Sequence, residues 1–131
     1  MVGAYKDDIN LETDAGSAYV FTRTGGVWSE QAKLVASDAG ADDEFGTSVA
    51  VSGDTVVVGA QYDDDGGQST GSAYVYTRSG STWSQETKLN GSAASPDDRM
   101  GTGVAVDGNT IAVSAYGDDH FSIGSAGSIH F

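Results

Sequence analysis

Apolar residues in this chain come singly or in short β-branched runs, and no stretch repeats them at helical spacing. Residues 16–23 alternate small or polar positions with Ala18, Val20 and neighbouring aromatics, which predicts a strand. Thr24-Gly25-Gly26 predicts a hairpin turn, because glycine accepts the positive φ of tight turns. Residues 27–34 predict a second strand, with Trp28 near its start. Further on, residues 48–51 and 55–60 predict two strands joined across Ser52-Gly53-Asp54. The run Thr55-Val56-Val57-Val58 is apolar on both faces, as expected of a strand covered on both sides. Residues 71–78 and 82–89 predict two more strands, joined by Ser79-Gly80-Ser81.

These elements repeat. GSAYVFTRTGGVWSEQAKL (16–34) recurs as GSAYVYTRSGSTWSQETKL (71–89) at an offset of 55 residues, and FGTSVAVSGDTVVVGAQYDD (45–64) recurs as MGTGVAVDGNTIAVSAYGDD (100–119) at the same offset. A period of this length predicts a propeller or stacked array. One unit is complete and holds four hairpin-connected strands, the content of a propeller blade. The fold class is therefore all-β: blades of four antiparallel strands, about two and a half per chain. Residues 1–35 form a partial blade (strands 2–4), 45–90 a complete blade and 100–131 a partial blade (strands 1–3), in one continuous array.

Val2-Gly3-Ala4 matches Val58-Gly59-Ala60 inside the complete unit, so Met1 falls in mid-repeat and the chain reads as a piece of a longer repeat protein. End strands left open would expose unpaired backbone and invite pairing with another chain. The expected partners are thus other copies of this chain or the rest of a longer propeller, in a ring or a filament.

Charge narrows the partners. Nineteen Asp and Glu against six Lys and Arg give a formal charge of -13, which repels phosphate backbones, so no nucleic-acid partner is expected. No apolar run is long enough to span a bilayer, so no membrane insertion is expected. With no cysteine, disulfides and thiolate metal sites are excluded.

Phe45-Gly46 opening the unit and Val58-Gly59-Ala60 closing its second strand resemble the FG-GAP repeat, the unit of integrin α-subunit propellers. The GSAYVYTR and W-S-x-x-x-K-L segments resemble its bacterial branch. The resemblance implies an extracellular or cell-surface location, calcium in the blade loops, and binding or adhesion on the propeller face.

The acidic loops are the recurring candidate site. Calcium needs six to eight hard oxygen ligands, so a loop with three carboxylates and some backbone carbonyls could qualify. Asp63, Asp64 and Asp65 form the best loop; Asp7, Asp8 and Asp14 come next, then Asp118 and Asp119. The other reading is turn chemistry, since Asp and Gly cluster in tight loops by bonding their own backbone. Asp43 and Asp98 stand at equal spacing before the Phe45-Gly46 and Met100-Gly101 corners and are expected to cap strand ends or bond a neighbouring blade's backbone. Trp28 and Trp83 are equivalent; stacking on a glycan is one reading, but inter-blade core is the expected one, as for Phe45, Tyr19 and Tyr74. His120 and His130 are the only histidines, and no nucleophile elbow, HExxH or phosphate loop is present, so no enzyme is expected. The expected function is a non-enzymatic propeller module for binding or adhesion to a protein or glycan, with calcium a possible stabiliser. The alternatives are a self-assembling structural protein and a carbohydrate-binding propeller.

Overall fold

A computed structural model describes residues 1–65, 67–91 and 94–117, and the backbone of 128–130. The described residues form ten strands and no helix: β1 (Val2–Ala4), β2 (Ser17–Thr24), β3 (Val27–Leu34), β4 (Phe45–Ser52), β5 (Thr55–Ala60), β6 (Ser72–Ser79), β7 (Thr82–Leu89), β8 (Met100–Asp107), β9 (Thr110–Ala115) and β10 (Ser128–His130). They make three antiparallel sheets in the orders β1-β2-β3, β4-β5-β6-β7 and β10-β9-β8. Each sheet is a meander of consecutive strands, the arrangement that hairpin-length connections impose.

Between these sheets lie two apolar layers. Ala18, Val20 and Leu34 of the first sheet pack on Val56, Val58, Tyr74, Tyr76 and Phe45 of the second. On the opposite face of the second sheet, Val57 and Ala73 pack on Met100, Val113 and Ala115 of the third. Val56, Val57 and Val58 are all fully buried although successive residues point to opposite faces. That is why β5 reads as an uninterrupted apolar run.

Strands β4 and β8 begin earlier than the β-branched pattern predicts, at Phe45 and Met100. Gly46 (φ 100°) and Gly101 (φ 95°) break the register, so that Phe45 pairs Ala60 and Ser48 pairs Gly59, with the same shift in β8. Such a bulge needs the left-handed backbone that glycine accepts. The bulge serves the contact between blades. A Cβ on Gly59 would strike the backbone carbonyl of Gly101, and one on Gly3 would strike that of Gly46. The Phe-Gly and Val-Gly-Ala motifs are thus two sides of one close backbone approach.

Backbone hydrogen bonds stitch neighbouring blades in the same way twice. Phe45 N donates to Ala15 O and Met100 N to Thr70 O, both at 2.9 Å; Asp42 N donates to Thr13 O (2.8 Å) and Asp97 N to Gln68 O (2.9 Å). These bonds hold the acidic loops 5–16 and 61–71 against the inter-blade connections 35–44 and 90–99. All four loops therefore lie at one end of the blades, opposite the tight hairpins.

Two aromatic expectations are corrected. Trp28 is 64% exposed rather than inter-blade core, and Tyr19 is only half-buried. Both lie on the face of the first sheet that has no blade against it among the described residues. Their equivalents one blade on are covered: Tyr74 is fully buried, with Phe45 edge-on at 5.2 Å, and Trp83 is half-buried.

Candidate functional site

The acidic loops owe their geometry to strand ends and turn chemistry. In the complete blade, loop 61–71 leaves β5 at Ala60, whose carbonyl accepts from Asp63 N (3.2 Å), and rejoins the sheet where Gly71 N donates to Asp63 O (3.0 Å). This closure turns the Asp63 side chain inward, where it is 1% exposed. A buried carboxylate is costly unless paired and hydrogen-bonded. Here it accepts from Ser72 Oγ and Asp65 N and pairs with Lys88 Nζ at 2.6 Å.

Lys88, on β7, reaches up from the sheet beneath the loop. Its ammonium also contacts Asp38 Oδ2 and Asp65 Oδ2, each at 2.7 Å, and lies 5.2 Å from the centre of the Tyr74 ring. Tyr74 Oη donates to Asp38 Oδ1 at 2.8 Å. Burial would lower the lysine, but hydrogen bonds to Asp38, Asp63 and Asp65 outweigh it and hold the ammonium well above the ordinary lysine range. Burial likewise opposes ionisation of Asp38, yet hydrogen bonds from Asp65, Lys88 and Tyr74 bring it down to about 2. Asp65 moves up, chiefly through that hydrogen bond to Asp38. Both carboxylates meet the same ammonium.

A smaller version stands in the first blade. Asp7 accepts from Ser17 Oγ at 2.7 Å and pairs with Lys33 at 2.8 Å, and Lys33 lies 5.6 Å from the Tyr19 ring centre. Its bonds to Lys33 and Ser17 hold Asp7 below the usual carboxylate range. Asp8 accepts from Asp14 N at 2.9 Å, and Asp14 pairs with Lys6 at 3.0 Å, which also meets Glu44 at 3.1 Å. Asp7, Asp8 and Asp14 are therefore distributed over three separate interactions. Asp118 and Asp119 lie outside the described residues, as does His120; for His130 only the backbone is described.

Sequence reasoning missed two members of the site. Asp38 joins the Lys88 cluster from the connection between blades. Asp43, only 4% exposed, brings one carboxylate oxygen to within 4.8 Å of Asp63 and Asp64. Burial pushes Asp43 up to about 7, and the charges of Asp63, Asp64 and Asp65 add to the effect, against a hydrogen bond from Gly40 N at 2.8 Å. Asp98 accepts from Ser95 N (2.6 Å) in the same way. Both carboxylates thus bond their own loop, three residues back, rather than a neighbouring blade.

The resemblance implies calcium here, and the residues do not fit it well. Asp38, Asp63 and Asp65 close on an ammonium, and Asp63 has spent its oxygens on Lys88, Ser72 and Asp65 N. The Asp43–Asp63–Asp64 group offers three carboxylate oxygens where calcium takes six to eight ligands. Chemically, the loop end is a strongly anionic surface. Among the described residues it holds no nucleophile–base pair.

A family model described as the FG-GAP repeat matches residues 28–76 and again 83–130. Each match runs from the tryptophan of one blade's outer strand into the third strand of the next. No relative was found among curated proteins.

Proposed function

Since the chain belongs to the FG-GAP repeat family, with blades of the β-propeller kind, we propose that it is a non-enzymatic binding module of an extracellular or cell-surface protein. Its ligand is a protein bearing a basic patch, and the acidic loop end is the contacting surface. The observation that carries this reading is the gathering of loops 5–16, 35–44, 61–71 and 90–99 at one end of the blades. There Asp8, Glu12, Asp42, Asp64 and Asp97 have no lysine or arginine pair among the described residues. A surface of one sign speeds association with a partner of the opposite sign and makes it salt-dependent.

Biolayer interferometry against purified matrix and surface proteins spanning acidic to basic isoelectric points tests this. Binding should track the partner's basicity and weaken at least about tenfold between roughly 50 and 300 mM salt. Salt-insensitive binding to glycans, with quenching of Trp28 fluorescence, would instead favour the carbohydrate-binding reading.

A second observation supports a partner of another kind. Phe21 and Trp28 are exposed where their equivalents Tyr76 and Trp83 are covered by the preceding blade. In the assembled protein this face packs on another blade of the same repeat type, from a copy of the chain or from further repeats of the same polypeptide.

A further inference from the structure

We propose that the Arg99 guanidinium is a carboxylate-binding subsite within the acidic loop end, and that it takes an aspartate or glutamate side chain lying inside the ligand's basic patch. The inference rests on the basic-protein reading above and adds an acid to that patch.

The two junctions between described blades place equivalent residues at this point. At the first, Glu44 N donates to Asp14 O, and at the second Arg99 N donates to Ser69 O, both at 3.1 Å. Glu44 and Arg99 share the same left-handed backbone, each with φ 55°. Charges balance at the first junction. Lys6 Nζ meets Asp14 at 3.0 Å and Glu44 at 3.1 Å, and Gln61 Nε2 donates to Glu44 Oε2 at 2.9 Å. One blade on, all four positions differ: Tyr62 stands for Lys6, Ser69 for Asp14, Arg99 for Glu44 and Tyr116 for Gln61. A cation with two acids has given way to a cation with none among the described residues.

Arg99 Cζ lies 5.2 Å from the centre of the Tyr62 ring, and Nε is buried without a hydrogen-bond partner. A donor taken out of water and left without an acceptor costs free energy, which an arriving anion offsets. The planar guanidinium presents paired N–H groups that match the two oxygens of a carboxylate. Tyr116, at the position from which Gln61 reaches Glu44, is 65% exposed, so no protein acceptor stands there in place of the lost carboxylate. A formal charge of -13 repels polyanions, so a carboxylate approaches Arg99 only in the company of cations. Asp64 and Asp97, two residues from Tyr62 and Arg99, are the acids for those cations to meet. An arginine among acids thus complements an acid among lysines or arginines.

The probes are acetyl-Lys-Lys-Gly-Asp-Gly-Lys-Lys-amide and the same peptide with Asn for Asp, titrated by NMR into isotope-labelled wild type and Arg99→Gln at about 50 mM salt. The Asn peptide carries one more net positive charge, so attraction to an acidic chain alone favours it. Wild type should nevertheless bind the Asp peptide at least about threefold more tightly, and the Arg99 Nε–H resonance should move downfield with that peptide alone. Arg99→Gln should bind both peptides, lose or reverse the preference, and melt within roughly 3 °C of wild type. Should the variant fail to fold, the wild-type resonance decides: a shift with the Asp peptide alone supports the subsite, and the same shift with both peptides or with neither overturns it. Binding without a preference for Asp, or a preference that Arg99→Gln retains, overturns the subsite and leaves the basic-ligand reading standing. Binding of neither peptide overturns both.

Discussion

Asp43 and Asp38 lie in one loop and respond to burial in opposite ways. Asp38 has the Lys88 ammonium and the Tyr74 hydroxyl on it; Asp43 has one backbone N–H and faces other carboxylates. With its folded value raised to about 7, above the ordinary carboxylate value of about 4, Asp43 binds more proton in the folded state than in the unfolded one between those limits. Its contribution to stability therefore worsens as pH rises from about 4 to 7 and stays unfavourable above. An asparagine in its place would keep an acceptor for Gly40 N without the charge. Chemical denaturation of Asp43→Asn should show a gain on the order of 2 kcal/mol at pH 8, shrinking toward zero near pH 4. An equal gain at both pH values would mean that the charge is not the cause. Below pH 4 both proteins should lose stability together. Asp38 and Asp7 have depressed folded values, so what they contribute is present above the unfolded carboxylate range and lost as they protonate.

At the level of elements, the decisive contact is backbone against backbone. Gly59 on β5 faces the Gly101 carbonyl on β8, and Gly3 on β1 faces that of Gly46 on β4. The equivalent position in the third sheet is Ser114, whose hydroxyl bonds Gly103 O within its own sheet. Gly59→Ser should therefore cost about 3 kcal/mol by forcing two sheets apart, while Ser114→Gly should change stability by less than about 1 kcal/mol. Urea unfolding of the two variants checks this, and similar values for both would refute the close-approach explanation. Strands, turns and the Phe-Gly and Val-Gly-Ala corners were legible because each recurs at the repeat spacing with its own turn or packing chemistry. The apolar run of β5 even announced that it is covered on both faces. The lysine cluster was only half legible. Lys33 and Lys88 recur, a usable signal in a chain with six basic residues. Asp38 has no repeat counterpart and meets Lys88 from 50 residues away, so only the packing of one blade on the next brings them together. Trp28 misled for the opposite reason. Its repeat position matches that of Trp83, but burial depends on whether a neighbouring sheet is present, which periodicity does not encode.

For the whole molecule, the two proposed surfaces differ in sign and so in their response to salt. The loop end is anionic, and its attraction for a basic ligand weakens as salt screens it. The face carrying Phe21 and Trp28 exposes large apolar side chains among Arg23, Glu30 and Lys33, and two copies brought together on it must overcome the mutual repulsion of chains with a formal charge of -13 each. Screening removes that repulsion and leaves the apolar contact almost untouched. Light scattering across a concentration series should accordingly show mass rising above 13.4 kDa more readily at about 300 mM than at about 50 mM salt. Phe21→Ser with Trp28→Ser should weaken association at least about tenfold while leaving the melting point near that of wild type, since neither side chain packs in the described core. Wild type that stays at 13.4 kDa throughout would assign the cover of this face to further repeats of the same polypeptide. Association that weakens with salt would instead place the contact on the charged loops, and the apolar face would lose its role.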